Sequence, residues 1–466
     1  MRASCVRPRR GSSIDVVRAN AAMMDWRRWR ILIAILACFV GTAQARLDVH
    51  HWQTESGARV YFVESHSIPV IDICVEFRAG SVYDPAGKSG LARLAHTLLK
   101  AGTAGIGEAE LDRRFADVGA EIGQSFDRDR AGATLRTLSS SRERDAATEA
   151  FVEMLSAPVF PQSAFAREKA RLTANVKEAE TRPDQLAERR LWSLMYPSHA
   201  YGASPTAESV AAISYADVAR FYRTHYRAGR AVVTIVGDLS REQAASLAVR
   251  LTARLATPTE IAPTSIAAAE PPEPVSAASG GLLKLPHPAG QSHVLLGLPV
   301  VARGDPDYFP LYVGNYVLGG GGFVSRLYRE VREKRGFAYS VYSYIRPLQQ
   351  PGPFLLGLQT KKDQAGAALA TAKQVFEEFV ANGPTEAELN AAKNGLASGF
   401  PLRIDSNRKI LDQVALIGFY GLPANWLDEF VANVRRVTLP EVKNAFARRI
   451  ELSRVATVIV GAPEQK

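Results

Sequence analysis

At 466 residues, with 47% apolar and 22% charged side chains, the chain has the make-up of a globular protein. This excludes overall disorder, and the length exceeds what one ordinary core fills, so two or more domains are expected. The formal net charge of +10 is concentrated at one end, which weakens it as a signal for nucleic acid.

Residues 1–45 read as an export signal rather than as fold. "DWRRWR" (25–30) supplies a positive start, "ILIAILACFV" (31–40) an apolar stretch, and "GTAQA" (41–45) a small-x-small cleavage pattern ending at Ala45. The apolar stretch falls short of the roughly 18 residues that a bilayer span requires. The true start is expected at Met23 or Met24, and two alternatives stay open: lipidation at Cys38, and a leader retained as an anchor. The leader holds eight Arg and two Asp, so its removal lowers the net charge from +10 to +4, and no nucleic-acid partner is expected. Cys5 and Cys38 leave with it, and Cys74 alone cannot form an intramolecular disulfide. Cys74 lies in the β-like run "VIDICVEF" (70–77), where a buried, inert thiol is expected.

The next portion, residues 46–256, opens with strand patterns at 58–65 and 70–80. "SGLARLAHTLLKAGT" (89–103) then scans as an amphipathic helix closed by a glycine, with a single histidine, His96. Helical stretches follow at 109–120, 143–158 and 163–180. The portion ends on "ISYADVARFY" (213–222) and the β-branched "VVTIVGD" (232–238). Residues 257–281, "TPTEIAPTSIAAAEPPEPVSAASGG", are rich in Pro, Ala, Ser and Thr and have no apolar face, which marks an interdomain linker.

The last portion, residues 282–466, ends as the first one does, on "VTLPEVKNAF" (437–446) and "ATVIVGA" (456–462). Ser214 and Thr438 each precede an acidic residue three positions on, the capping-box pattern of a helix start. Ser214 to Gly237 and Thr438 to Gly461 both span 23 residues, so a duplication with a period near 224 is expected. Strands segregated from helices predict an α+β fold in each portion: a mostly antiparallel sheet with helices packed on one face. Two such domains, joined by the linker, are expected to face each other across a cavity.

Three stretches carry a resemblance: "GLARLAHTLLKAGT" (90–103), "LWSLMYPSHAYG" (191–202) and "LGGGGFVSRLYREVREKRGFAYSVYS" (318–343). Together they resemble the pitrilysin-like zinc metallopeptidases, the insulinase and mitochondrial processing peptidase family, over the whole mature chain. In active members the first stretch reads Gly-Leu-Ala-His-x-x-Glu-His. Two histidines at i and i+4 share a helix face and can both reach zinc, and the glutamate polarises the metal-bound water. A third ligand, a glutamate, follows about 77 residues later.

This sequence departs at each of those positions: Arg93 and Thr97 stand for the two histidines, His96 for the glutamate and Ala174 for the third ligand. Arg93 would place a permanent cation where zinc should sit. His96 has no ligand partner on its own helix, and Glu178 and Glu180 alone could not complete a zinc site. His96 is therefore expected to be a solvated or core-edge histidine, and no metal is expected on this chain.

The third stretch keeps the family's pattern. The resemblance implies that Arg332 and Tyr339, seven residues apart, hold a substrate peptide, with Gly319, Gly320, Gly321 and Gly322 letting the loop approach another backbone. Arg donation to a carbonyl and a Tyr hydroxyl at a developing oxyanion suit amide hydrolysis. The glycine run lacks the P-loop lysine and the spaced Rossmann glycines, so it is no nucleotide loop. Taken singly, Arg332 could be a solvated charge and Tyr339 a strand residue; their joint register favours the functional reading.

These features imply a periplasmic subunit, inactive on its own, that completes the site of a zinc-bearing homologous partner acting on peptides or unfolded polypeptides. Zinc is expected in that partner, and no membrane span after leader cleavage. A stand-alone peptide-binding or scaffold protein is the alternative, and an autonomous zinc peptidase with unusual ligands the third.

Overall fold

The computed structural model describes residues 47–256 and 280–461, so the predicted leader and all but the last two residues of the predicted linker lie outside the described residues. The N-terminal half begins with β1 (Val49–Gln53), β2 (Arg59–Glu64), β3 (Val70–Phe77), α1 (Leu91–Leu98) and α2 (Glu108–Ala116). It continues through β4 (Glu121–Phe126), β5 (Ala131–Leu138), α3 (Ser141–Ser156), α4 (Gln162–Thr181) and α5 (Pro183–Met195). The half closes with α6 (Tyr215–His225), β6 (Ala231–Gly237) and α7 (Arg241–Thr252).

The C-terminal half opens with β7 (Gly281–Leu285), which takes in the last residue assigned to the linker, then β8 (Gln291–Val301) and α8 (Tyr308–Asn315). After the glycine run come β9 (Ser340–Ile345), β10 (Gly352–Lys361), α9 (Ala365–Asn382) and α10 (Glu386–Gly399). It ends with α11 (Asn407–Tyr420), α12 (Trp426–Arg436), α13 (Leu439–Arg449) and β11 (Ala456–Val460).

The duplication is plain in the helix starts. α3, α4, α5 and α6 begin at 141, 162, 183 and 215, and α9, α10, α11 and α13 at 365, 386, 407 and 439, a constant offset of 224. The predicted capping boxes form at both ends of that offset. Ser214 and Thr438 accept from the Asp217 and Glu441 amides, and those carboxylates accept back from the cap amides. Each such cap is worth about 1 kcal/mol.

The strands assemble into two mostly antiparallel sheets, ordered β1-β2-β6-β3-β5-β4 and β9-β10-β8-β11-β7. Each contains one parallel pair, β2 with β6 and β7 with β11, again in equivalent places. Period-two alternation sorts the side chains: Val60, Phe62, Ile71, Ile73 and Val75 join the core beneath the half's own helices. Tyr61, Val63 and Cys74 point to the other face and join the core of the other half.

Helix exchange covers that second face. α11, from the C-terminal half, packs on β6, β3 and β2, and Gly418 lets it come close: a Cβ there would lie 2.7 Å from the Tyr61 ring. α5, from the N-terminal half, packs on β8 and β11, burying Leu191, Trp192 and Met195 against Val458 and Val460. The space between the two sheets therefore holds two helices, with a pocket of about 220 Å³ between α5 and the C-terminal sheet. The described residues of the two halves form a single compact unit as a result.

Polar groups also cross the junction. Asp129, fully buried, accepts from the Tyr201 hydroxyl, from the Tyr420 hydroxyl (2.8 Å) and from the Gln349 amide (2.8 Å). Buried Glu76 pairs with Arg130 at 2.9 Å, which compensates a charge that could not otherwise be held there. Cys74, two residues before Glu76 on β3, is 4% exposed, and burial pushes its thiol pKa up, which leaves it unreactive.

Candidate functional site

The helix that would carry a zinc motif is α1. It starts after Gly90, whose φ of 105° suits glycine, and Asp84 anchors it by accepting from the Gly90 (2.8 Å) and Ala92 (2.6 Å) amides. Its apolar stripe, including Leu94, Ala95 and Leu98, is buried in the core of the N-terminal half.

His96 belongs to that buried stripe, at 3% exposure, and is not a solvated residue. Its Nδ1 lies 3.1 Å from the Tyr226 hydroxyl, and its ring sits between Phe126 and Tyr226 at centroid distances of 6.0 and 6.5 Å. Burial, with the charge of Arg93 adding to it, lowers its pKa to about 4, so the ring is neutral at neutral pH.

Arg93 and Thr97 point elsewhere, into a small space of about 90 Å³ between α1 and α4. The Arg93 guanidinium lies 4.5 Å from the Phe126 ring centre, and the Thr97 hydroxyl donates to the Arg93 carbonyl at 3.0 Å. The α4 groups lining this space are Glu168, Arg171, Leu172 and Asn175. Ala174, Glu178 and Glu180 are exposed and do not line it, so Glu168 is the carboxylate that faces α1, not the two weighed from the sequence.

Glu168 is already engaged by Arg167 (3.0 Å) and Arg171 (3.4 Å). Two arginines and one committed carboxylate do not fit a divalent cation, which needs at least three N, O or S ligands. Among the described residues no group of three His, Cys, Asp or Glu side chains is placed to hold a metal.

The second candidate lies in the C-terminal half. The glycine run starts in a wide, π-type turn over Tyr316–Gly320, and Arg332 sits in another over Tyr328–Glu333. Such turns are rare in helices and concentrate at functional sites.

The glycines answer to crowding. A Cβ on Gly319 would lie 2.4 Å from Ser343 Oγ, one on Gly320 2.6 Å from Asn315 Nδ2, and one on Gly321 2.7 Å from the Tyr316 carbonyl. Gly322 instead turns the chain, with φ +60°. A buried pair pins this turn to β9: Asn315 Nδ2 donates to the Ser343 carbonyl (3.2 Å), and Ser343 Oγ to Asn315 Oδ1 (2.7 Å).

The structure brings Arg332 and Tyr339 together. The guanidinium lies 5.2 Å from the Tyr339 ring centre and 4.8 Å from that of Tyr328. Tyr328 in turn meets Phe323 edge-on at 5.0 Å, giving an open row Phe323–Tyr328–Arg332–Tyr339. Phe323, Val324 and Tyr339 are 74%, 70% and 75% exposed. The Arg332 side chain makes no ion pair or hydrogen bond with another described residue, and exposed cation–π contacts are worth only about 0.5–1 kcal/mol each. Arg332 is half-buried against these rings and Tyr339 stands in the open, with the Arg332 donors not taken up by a described residue. Sequence reading missed Phe323, Val324 and Tyr328; the available signal was an apolar pair directly after four glycines, outside any periodic face.

Comparison with known proteins gives the family. Residues 59–207 match the family model described as insulinase (peptidase family M16), and residues 212–396 the model described as peptidase M16 inactive domain. The solved structure of a peptidase M16 inactive domain from Pseudomonas fluorescens is 33% identical, covers 90% of this chain and 99% of its own, and superposes with a TM-score of 0.84. The non-peptidase homolog YmxG of Helicobacter pylori is 28% identical over 92% of this chain and 98% of its own length. An uncharacterized zinc protease of Streptomyces coelicolor is 25% identical over 69% of this chain and 70% of its own. The repeat, the two matched models and the 33% identical structure lead to one assignment: the chain belongs to peptidase family M16.

Proposed function

We infer that this chain is an exported subunit without peptidase chemistry of its own, which pairs with a zinc-bearing homologue and contributes Arg332, Tyr339 and the Gly319–Gly322 loop to a shared substrate site. The observation that carries this reading is a contrast. The zinc positions hold Arg93, His96, Thr97 and Ala174, while Arg332 and Tyr339 converge within 5.2 Å in the open. In the complex, Arg332 would donate to a peptide carbonyl and Tyr339 to the oxyanion of the tetrahedral intermediate. Zinc held by the partner would supply the activated water. The printed name of the Helicobacter relative, a non-peptidase homolog, supports the absence of autonomous hydrolysis.

The test is hydrolysis of a fluorogenic peptide by the purified chain, by its partner and by both. Arg332→Ala and Tyr339→Phe are each expected to lower kcat/KM of the complex about 100-fold without weakening assembly. Unchanged hydrolysis by either variant complex would sink the shared-site reading.

A stand-alone peptide-binding or scaffold protein is the second reading, favoured by the burial of His96 as an ordinary core residue. An adjacent reading frame with an intact His-x-x-Glu-His motif separates the two, since its presence supports the heterodimer. Stoichiometric zinc in the isolated chain would instead reinstate an autonomous peptidase.

A further inference from the structure

α5 has a second working face. Its buried face packs on the C-terminal sheet, while Leu186, Arg189, Arg190 and Ser193 fall at i, i+3, i+4 and i+7 and form one stripe on another side. Opposite that stripe the chain leaves a short 3-10 turn at Gly202 and runs on to Thr206, and Gly202, Ser204 and Thr206 line the space. Helix stripe and this segment enclose a pocket of about 200 Å³. The volume is below the roughly 300–1,000 Å³ of pockets for drug-sized ligands, so it suits a small group.

The lining is rich in donors. Arg189, 22% exposed, is fixed to the segment by donating to the Pro205 carbonyl at 2.7 Å, which leaves the rest of its fork for another acceptor. Arg190 has no ion pair among the described residues, and the Ser193 and Ser204 hydroxyls bond to no other described residue. The one acid in the lining, Glu180, lies 3.9 Å from Arg189 and is 57% exposed, a contact at the outer limit of an ion pair and of little worth.

We propose that this pocket binds a phosphate group, with Arg189 and Arg190 on one side and Ser193 and Ser204 completing the shell. Planar guanidinium forks match phosphate oxygens in pairs, and hydroxyls supply donors from the remaining directions. Glu180, at the exposed rim, is the one negative charge that opposes a bound phosphate. The pocket shares no residue with the Arg332–Tyr339 row, and the proposal stands apart from the partner-subunit reading.

Calorimetric titration of the full chain with inorganic phosphate tests it, at fixed ionic strength and with acetate as the carboxylate control. Phosphate is expected to bind and acetate at least tenfold more weakly. Arg190→Gln should weaken phosphate binding about tenfold or more, in line with loss of a charge-assisted bond. Ser193→Ala, which changes no charge, should weaken it severalfold, and Glu180→Gln should tighten it. Arg190 and Ser193 are exposed, so both variants are expected to keep the parent melting temperature. Absence of binding, equal affinity for acetate, or affinity indifferent to Ser193→Ala overturns the assignment.

Discussion

α1 and the loop from Gly319 to Tyr339 hold the residues that the family's chemistry would use, and the fold treats them in opposite ways. On α1 the side chains are consumed by the protein itself: His96 packs between two aromatic rings and Arg93 covers Phe126. On the loop, Phe323, Val324 and Tyr339 stand in solvent, and the Arg332 side chain meets only the Tyr328 and Tyr339 rings, with no ion pair or hydrogen bond to a described residue. Groups packed into the core contribute to stability, whereas groups whose polar atoms have no internal partner remain available to a ligand. The difference teaches that, on the proposed reading, a helix at the family's metal positions serves as core while the loop proposed for substrate stays open.

That comparison can be tested by substitutions of decreasing expected cost. Leu98→Ala, at a fully buried α1 position, should lower stability by about 2–5 kcal/mol in chemical denaturation. A cost near zero would mean that α1 is not integral to the core.

His96 supplies a pH test. Its folded pKa of about 4 lies below the unfolded value near 6.5. As pH falls through 6.5 the unfolded ring takes up a proton that the folded ring refuses until about pH 4. Stability is therefore lost between those limits, by at most roughly 3 kcal/mol from this residue. His96→Leu should flatten part of that loss, while His225, also lowered to about 4 mainly by burial, leaves a remainder. An unchanged profile would place His96 in solvent.

Gly319→Val should cost about 1–3 kcal/mol, because its Cβ would lie 2.4 Å from Ser343 Oγ. Such a cost separates the frame of the loop from its exposed tip. Phe323→Ser and Arg332→Ala, which give up only exposed ring contacts, should each cost about 0.5–1.5 kcal/mol. A loss comparable to that of Leu98→Ala would collapse the distinction between the two regions.

Much of the fold was legible because its signals are local. The Ser214 and Thr438 caps, the β-branched runs and the glycines after them are each read from a few neighbouring residues, and their spacing exposed the repeat. Helix exchange was not legible. Whether α5 and α11 cover their own sheet or the other one depends on contacts such as Gly418 with Tyr61, more than 350 residues apart. For the site, the pairing of Arg332 with Tyr339 was implied by the family resemblance, but the wide turn that carries Arg332 has no composition signal. For His96 the sequence left a solvated and a core-edge position both open, because histidine sits near the middle of the burial scale, and the Phe126 and Tyr226 rings decide for the core.

The exchange also sets a timetable for synthesis. Tyr61, Val63 and Cys74 form a sheet face whose cover, α11, is made only at residues 407–420. A chain emerging from its N-terminus thus carries an uncovered apolar surface for most of its length, and no early segment can shield it permanently. Long-range closure of this kind is slow and prone to aggregation. Newly made chain should therefore need a chaperone until its last sixty or so residues arrive. Truncations near the C-terminus should fail in the N-terminal half as well, far from the residues removed.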